Sequence, residues 1–249
     1  MGTTGHLDNF QVVELRRYTM KPGEGSNCAR YFDTFFPEAF EQLGAIVFGQ
    51  FLPEEDESRF VWLRGFKDMY ARATVNGCFY FGPLWREHSA AANNLLIDSD
   101  DVLLLRPLSP AEAVPILPAV DPIMEPAGAS GVVIAQIYPI EPNEMQNVVR
   151  RFNDIFASYR GADVRKAGVL VTLDAPNNFP QHPIRTDGPF LVWLGMVKDD
   201  ESLERNFRPL AEQPGKILRD ERLLRAEPEL MIMKPSHRSR LRWLESQTV

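Results

Sequence analysis

The sequence VWLRGFKD at residues 61–68 returns in the second half of the chain as VWLGMVKD at residues 192–199. Each copy is an apolar run typical of a buried strand, and each ends in a Lys-Asp pair that precedes a helical stretch. Tyr18 and Tyr138 mark an earlier matched strand, and a proline follows each of them four residues later. A repeat of this length indicates a duplicated domain and not a short-period solenoid.

Both halves give the same order of predicted elements, strand-helix-strand-strand-helix-strand. In the first half the strands are predicted at 12–20, 45–53, 59–66 and 101–108, with helices at 26–43 and 68–96. In the second half the strands are predicted at 132–140, 164–173, 190–198 and 228–235, with helices at 143–159 and 201–224. This is the order of ferredoxin-like folds, in which helices cover one face of an antiparallel sheet and the other face needs a partner. The sequence therefore predicts an α+β fold class: two tandem ferredoxin-like (βαββαβ) domains whose antiparallel sheets face each other as an α+β barrel.

Residues 109–130 separate the two halves and are rich in proline. Proline fixes φ and lacks a backbone donor, so this segment is predicted to be an extended linker. The predicted domains are accordingly 8–108 and 131–236, and residues 237–249 form a tail. We expect this locally basic tail to be a solvated helical end that Trp243 anchors.

The composition excludes several classes of protein. The chain has 249 residues, a net charge of −7 and a pI near 5.2, which argues against sequence-independent binding to nucleic acid. No segment approaches the roughly 18–20 apolar residues of a membrane span, and the N-terminus lacks the charged start and apolar run of a signal peptide. Cys28 and Cys78 are too few for a disulfide framework. We therefore expect a soluble, cytoplasmic protein that binds neither nucleic acid nor membrane.

The motifs of several common catalytic sites are missing from the sequence. It contains no P-loop, no G-x-G-x-x-G after a strand, no G-x-S-x-G and no H-E-x-x-H. Neither cysteine lies beside a histidine, and the histidines are far apart: His6, His88, His182 and His237. No metal site is therefore predicted.

One histidine lies in an unusual setting, in the stretch GPLWREHSAAANNLL at residues 82–96. Helical periodicity places His88 on an otherwise apolar stripe, between Trp85 and the small Ala92. A half-buried histidine there could act as a general base or as a metal or haem ligand near neutral pH. The alternative is a core histidine that is hydrogen-bonded to a carboxylate or a backbone carbonyl. The second half has no equivalent histidine, so a site built on His88 would exist once per chain.

The first and third strands carry charges on faces that should be buried. A period of two places Glu14, Arg16 and Tyr18 on one face, and Trp62 and Arg64 share a face in the same way. A buried arginine needs a partner, and Glu14 is the obvious one. Either the arginines lie under the helices and bind an anion, or they form a charge ladder between the two sheets. We favour the ladder, because buried charges are usually paired within the protein.

The connection APNNFPQHPIRTDGP at residues 175–189 is too long for an ordinary hairpin. Loops longer than about 12–15 residues without structure of their own tend to be functional or disordered. This one carries His182 and Arg185 close to Phe179 and several prolines, so it is not a plain polar linker. It could be a lid over a pocket or an arm that docks on the neighbouring half, and the sequence does not choose between them.

A series of motifs resembles the NIPSNAP family. In the first half they are VELRRYTMKPG, VWLRGFKDM, FYFGPLWREH and DDVLLLRP. In the second half, NNFPQHPIRTDGPFLVWLG resembles the C-terminal half of tandem bacterial members. The resemblance implies the dimeric α+β barrel superfamily, whose related families include cofactor-free monooxygenases, haem-dependent enzymes, isomerases and cyclases. NIPSNAP proteins mostly lack an assigned reaction, and a fold alone does not specify one.

From these observations we predict a protein that binds a small apolar or aromatic molecule between the helices and sheet of its N-terminal half. The expected chemistry is acid–base catalysis, isomerisation or cofactor-free oxygenation. His88 is the predicted proton-transfer residue, and Tyr80 and Arg64 are the other catalytic candidates. The substrate-binding candidates are Trp85, Arg16, Tyr18, Trp62, His182 and Arg185.

Two alternatives to this function stay open. In the first, the protein binds haem with His88 as an axial ligand, and otherwise no cofactor is expected. In the second, it is a non-catalytic protein-interaction scaffold with a fully packed core. The sequence also leaves open whether the protein is an enzyme and whether two chains associate as a homodimer.

Overall fold

The computed structural model describes residues 10–245, which form one closed barrel of eight strands with helices outside it. The N-terminal half consists of β1 (Val12–Met20), α1 (Gly25–Phe35), α2 (Pro37–Gln42), β2 (Ile46–Pro53), β3 (Arg59–Phe66), α3 (Met69–Tyr80), α4 (Pro83–Leu95) and β4 (Leu96–Pro107). The C-terminal half consists of β5 (Val132–Pro139), α5 (Met145–Ile155), β6 (Arg165–Thr172), β7 (Phe190–Val197), α6 (Asp200–Ser202), α7 (Gln213–Asp220) and β8 (Glu229–Pro235). The strand order around the barrel is β1-β3-β2-β8-β5-β7-β6-β4, so the predicted fold class is confirmed.

Two antiparallel seams join the halves into this barrel. At one seam β2 pairs with β8, where Phe51 lies opposite Pro235 and Pro53 lies opposite Met233. At the other β4 pairs with β6, where Leu105 lies opposite Thr172. Because both sheet edges of each half find a partner in the other half, the barrel closes within one chain and leaves no free sheet edge among the described strands.

The alternation of side chains along the strands separates an inner from an outer face. Val13, Leu15 and Leu63 belong to the apolar core inside the barrel, together with Val192 and Leu194 of the other half. The residues between them in the N-terminal strands point outward to the helices. The charge ladder that we favoured between the two sheets is therefore not formed, because apolar side chains from both halves fill that space.

The helices of the N-terminal half cover a second, largely aromatic core. Trp62 and Phe66 of β3 contribute to it from the sheet, and Phe32, Phe40 and Phe79 contribute from the helices. The C-terminal half has a separate core of the same kind between its sheet and α5 and α7. The two sheet–helix cores lie on opposite sides of the shared barrel interior.

Several predicted element boundaries are wrong, and proline or glycine accounts for most of the differences. The helix predicted at 68–96 breaks at Gly82 into α3 and α4, with Pro83 in the first turn of α4. The helix predicted at 201–224 is divided into short helical turns, because Pro209 and Pro214 cannot continue the backbone hydrogen bonds. Strand β4 begins at Leu96, five residues before the predicted start.

The tail does not form the predicted solvated helix. Residues 236–245 are irregular, and Leu241, Arg242 and Trp243 are buried, so Trp243 does anchor the segment. Arg242 donates to both carboxylate oxygens of Glu125 at 2.6 and 2.7 Å and to the carbonyl of Pro118 at 2.8 Å. These bonds hold the proline-rich linker against the barrel. The predicted boundary at residue 8, the N-terminal stretch and tail residues 246–249 lie outside the described residues.

No helix within residues 10–245 is both long enough and apolar enough to cross a membrane.

Candidate functional site

A cavity lies where the sequence predicts it, between the helices and the sheet of the N-terminal half. The space between its walls that protein atoms do not fill is about 580 Å³, a volume that includes open solvent at the mouth. Strands, helices and the loop from the other half all contribute to its wall. The lining residues are Tyr18, Cys28, Tyr31, Phe32, Phe36, Phe40, Trp62, Phe79, Tyr80, Trp85, Ala92, Asn93, Leu95, Leu96, Ser99 and His182.

Most of the cavity wall is aromatic. Phe40 and Phe79 are stacked with ring centroids 3.9 Å apart, and the ring of Trp62 lies 4.7 Å from that of Phe32. Tyr80 packs edge-on against Trp85 at 5.2 Å. These rings hold each other in place and present an apolar surface with few rotatable bonds, which suits a flat or apolar ligand.

Beneath this wall lies a fully buried cluster of charges, in which one carboxylate contacts three guanidinium groups. Oε2 of Glu14 accepts from Arg16 Nη1 at 2.9 Å and from Arg64 Nε at 2.7 Å. Its other oxygen, Oε1, accepts from Arg72 Nε at 2.7 Å. All four side chains are 0% exposed. We call Glu14, Arg16, Arg64 and Arg72 the ionic cluster.

The ionic cluster carries more positive than negative charge. Burial alone would raise the pKa of Glu14, but the guanidinium groups of Arg64, Arg16 and Arg72 together hold it well below its usual range. Glu14 is therefore a carboxylate, and it balances only one of the three cations. Nη1 of Arg64, Nη2 of Arg72 and both amide atoms of the buried Asn76 have no hydrogen-bond partner among the described residues. Nη2 of Arg64 is 2.7 Å from Glu14 Oε2 but lacks hydrogen-bond geometry, so we count that contact as electrostatic only.

Arg16 connects the ionic cluster to the cavity. Its Nε donates to the hydroxyl of Tyr18 at 2.9 Å, and its Nη2 lies 3.5 Å from Nδ1 of His182. Burial, together with the charges of Arg16 and Arg64, lowers the pKa of His182 to about 3, so the ring is neutral at physiological pH. A guanidinium can only donate, so Nδ1 is the acceptor and the ring proton lies on Nε2.

The loop at 175–189 brings His182 to this site from the C-terminal half. Phe179 is buried, with its ring 6.0 Å from Tyr80. Asn177 and Asn178 accept hydrogen bonds from Arg72 Nη1 at 3.0 and 2.7 Å. The loop therefore docks on the N-terminal half and at the same time borders the cavity, so it combines features of both predicted roles.

His88 does not line the cavity. Its Nδ1 lies 2.6 Å from the hydroxyl of Tyr31, and its ring is stacked on Phe35 with centroids 4.0 Å apart. Both Tyr31 and Phe35 belong to α1. Helix α4 packs against α1 and α3, so the apolar stripe of α4 that carries His88 does not face the sheet directly. Tyr31 does line the cavity, so His88 is one hydrogen bond away from it.

The structure brings most of the other predicted site residues together. Arg185 is the exception: it pairs with Asp187 at 2.7 Å and lies over the ring of Phe190, outside the cavity. Arg16 and Arg64 lie in the ionic cluster, just below the cavity wall. The predicted residues that line the cavity itself are Tyr18, Trp62, Tyr80, Trp85 and His182.

Arg72 is a site residue that the sequence analysis missed. It lies on the buried face of α3 together with Val75, Asn76 and Phe79. The spacing of these four positions is that of one helix face, so an arginine and an asparagine share an otherwise apolar stripe. That mixed stripe is the signal that could have identified it.

The C-terminal half has no equivalent of the ionic cluster. Aligned through the repeat, the counterparts of Glu14, Arg16 and Arg64 are Ile134, Gln136 and Gly195. The ring of Trp193 occupies the space beside Gly195, so that a Cβ there would overlap it. Gln136 is satisfied within the protein, since its Oε1 accepts from the hydroxyl of Tyr159 at 2.7 Å. The site therefore occurs once in the described part of the chain.

The described residues provide no metal-binding cluster, and they do not place His88 where it could ligate haem in the cavity. Within residues 10–245 no group of three His, Cys, Asp or Glu side chains could hold a metal ion. For haem, His88 is the predicted ligand, but its ring is stacked on Phe35 and lies behind Tyr31. A group in the cavity would meet Tyr31 and not His88, so these residues do not fit haem ligated by His88.

Comparison with known proteins agrees with the sequence motifs and with the barrel. Residues 13–111 match the model of the NIPSNAP family, so the resemblance of the N-terminal half to this family is confirmed. No curated protein matches the chain.

Solved structures share the fold along nearly the whole chain at low sequence identity. A Fusobacterium nucleatum protein provisionally named as a monooxygenase is 9% identical, with a TM-score of 0.60, and covers 96% of this chain and 99% of its own. An anthrone oxidase-like protein is 11% identical, with a TM-score of 0.56 and coverage of 95% and 96%. A mutant chlorite dismutase from Candidatus Nitrospira defluvii, in complex with cyanide, is 11% identical, with a TM-score of 0.53 and coverage of 93% and 94%. At these identities the similarity concerns the fold alone.

Proposed function

We propose that this protein binds a small aromatic or apolar molecule in the cavity of its N-terminal half and stabilises negative charge on an oxygen atom of that molecule. The observation that carries the proposal is the polar end of an otherwise aromatic cavity, where Tyr18 and His182 meet above Arg16. A preformed apolar pocket with a few convergent polar groups is typical of a ligand site.

The polar end has the chemistry of an oxyanion site. The hydroxyl oxygen of Tyr18 accepts from Arg16, so its own hydrogen is free to be donated to a ligand. A neutral His182 with its proton on Nε2 is a second donor. Fixed donors in a buried site stabilise charge that develops on a substrate oxygen, as in the formation of an enolate or phenolate. His182 itself is a poor general base, because its pKa is about 3.

Tyr31 and His88 supply a proton acceptor for the same step. The hydroxyl of Tyr31 is 2.6 Å from Nδ1 of His88, so Tyr31 can take a proton from the ligand while it passes its own to the imidazole. The proton then lies on His88 and the negative charge on the ligand oxygen. Such deprotonation precedes both isomerisation and reaction with O₂.

The binding part of the proposal is tested with N-phenyl-1-naphthylamine, a neutral aromatic dye whose fluorescence rises in apolar surroundings. We expect saturable binding by the wild-type protein. Ala92→Trp fills the cavity and should weaken binding at least about tenfold, the loss of roughly 1.4 kcal/mol. Ala90→Trp, on the exposed side of the same helix, is the control and should bind as wild type. No saturable binding, or equal binding by both variants, would contradict the proposal.

The other predicted possibilities receive less support. Haem ligated by His88 does not fit the observed position of that ring. A non-catalytic scaffold with a fully packed core gives no reason for the cavity or for the unpartnered polar groups beneath it. A homodimer stays a prediction, since each chain closes its own barrel.

A further inference from the structure

The charge balance of the ionic cluster is incomplete within the described residues. Three guanidinium groups share the carboxylate of Glu14, and all four side chains are 0% exposed. Buried charges are normally paired, because desolvation of an unpaired ion costs far more than a protein can spare. His182 adds no compensation, since it is neutral. The cluster therefore leaves an excess of two positive charges beside the cavity.

Hydrogen bonding in the ionic cluster is incomplete as well. Arg64 Nη1 and Arg72 Nη2 are buried donors without a partner among the described residues, and the amide of the neighbouring Asn76 is also unpaired. Unpaired buried groups are rare in folded proteins and each needs an explanation. The unpaired donors show that the carboxylate of Glu14 does not saturate the cluster, and an anion nearby would offset the excess positive charge.

An anion bound in the cavity would lie close to the excess positive charge of the ionic cluster. Tyr18 and His182 both line the cavity, and both contact Arg16, which does not line it. A ligand oxygen that accepts a hydrogen bond from the Tyr18 hydroxyl would be separated from the Arg16 guanidinium only by that hydroxyl group. Burial lowers the pKa of His182 most, and the charges of Arg16 and Arg64 lower it further. Phe36 and Phe79 are among the apolar residues of the wall.

We infer that the ligand of this cavity is an aromatic acid, whose ring lies among the aromatic side chains and whose carboxylate accepts hydrogen bonds from Tyr18 and His182. The inference rests on the proposed binding function and narrows it to one class of ligand, in which the negative oxygen that the two donors stabilise belongs to a carboxylate. The carboxylate stays in the ionised form, because the buried cations behind it favour the charged state. A neutral ligand of the same shape would leave the excess charge of the cluster uncompensated.

The test compares 2-naphthoate with 2-naphthamide, which have nearly the same shape and differ in charge. Calorimetric titration of the wild-type protein at pH 7 should show that naphthoate binds at least about tenfold more tightly, the typical effect of a hydrogen bond to a charged group. The preference should persist at about 0.5 M NaCl, since salt screens exposed charges far more than buried ones.

Two variants separate this site from general attraction of anions to the surface. Tyr18→Phe and His182→Leu each remove one donor and should reduce the naphthoate preference over naphthamide to about threefold or less. Tyr70→Phe is the control, because Tyr70 is 82% exposed, and it should keep the full preference. Circular dichroism and thermal melting establish that each variant is folded.

The results of these titrations distinguish the aromatic-acid ligand from the more general binding function on which it rests. Dye binding without a preference for naphthoate would overturn the inference and leave the proposed cavity function intact. A preference that survives both donor variants would also overturn it, because the anion would then bind elsewhere. Failure of the dye and of both naphthalene compounds to bind would overturn the inference and the proposed binding function together.

Discussion

Substitution of Glu14 by Gln should destabilise the protein severely. Glu14 is the one carboxylate that contacts Arg16, Arg64 and Arg72, at 2.7–2.9 Å, and all of these side chains are fully buried. Removal of one partner from a buried ion pair costs about 3–5 kcal/mol, because the remaining charge is left uncompensated. Glutamine keeps one acceptor oxygen but turns an amide donor toward the guanidinium groups. We therefore expect a loss of about 4 kcal/mol or more, which corresponds to a fall in Tm of roughly 8–16 °C for a chain of this size.

Urea denaturation followed by tryptophan fluorescence measures this loss, and its pH dependence identifies the cause. The pKa of Glu14 is lowered in the folded state, so its stabilisation is fully present above the unfolded pKa of about 4.3. As pH falls below that value the unfolded chain binds the proton first, and wild type loses up to about 1.4 kcal/mol per pH unit from this group. The difference between wild type and Glu14→Gln should be constant from pH 5 to 8 and shrink at lower pH.

Glu201→Gln is a matched control, since Glu201 forms an exposed pair with Arg205. An exposed pair contributes little, so this variant should melt as wild type does. A loss below about 1 kcal/mol for Glu14→Gln, or a difference that does not change below pH 4, would refute the role of Glu14 as the charge partner of the three arginines.

Two further predictions concern the loop that docks on the cluster. Asn178→Ala should cost little through the loss of its contact with Arg72, because Asn177 still accepts from Arg72 Nη1, whereas Asn177→Ala also removes the hydrogen bonds with the His182 carbonyl and the Phe179 N–H and should cost about 1–3 kcal/mol. The double variant leaves Arg72 Nη1 unpaired and should cost more than the sum of the two single losses. Strictly additive losses in a denaturation cycle would contradict this shared role. The ring of His182 should remain neutral down to pH 5, since its pKa is lowered to about 3; its ¹H–¹⁵N signals identify the protonated nitrogen as Nε2. Titration near pH 6.5 would show that the loop does not hold the ring beside Arg16.

The fold could be predicted from the sequence because its determining features are local and repeated. Alternating strands, two matched Val-Trp-Leu runs and a proline-rich connection define two similar units, and such a unit needs a partner for one sheet face. The period of two places Tyr18 on the face of Arg16 and Trp62 on the face of Arg64, but it does not decide whether those faces lie under the helices or between the sheets. These inferences need only the period of each element and its order along the chain.

The contacts of His88 and Arg72 could not be predicted in this way. Helical periodicity gives the direction of His88 relative to its own helix, but not whether that direction meets the sheet or α1. Arg72 becomes intelligible only when Glu14 is known to lie under α3, and the two are far apart in sequence. The position of His182 could not be predicted either. No pattern in the sequence around His182 indicates that a loop of the second repeat borders the cavity of the first.

The loss of the ionic cluster from the second repeat gives a final prediction, that one aromatic acid binds per chain. At the corresponding positions Ile134 and Gly195 are uncharged, and Gln136 is already bonded to Tyr159. The ring of Trp193 fills the space where a longer side chain would extend from position 195. Without an excess of buried positive charge, that half has nothing to offset the desolvation of a carboxylate. The calorimetric titration with 2-naphthoate should therefore give a stoichiometry of about one per chain, whereas two equivalent sites would mean that the aromatic setting alone, and not the charge, selects the ligand.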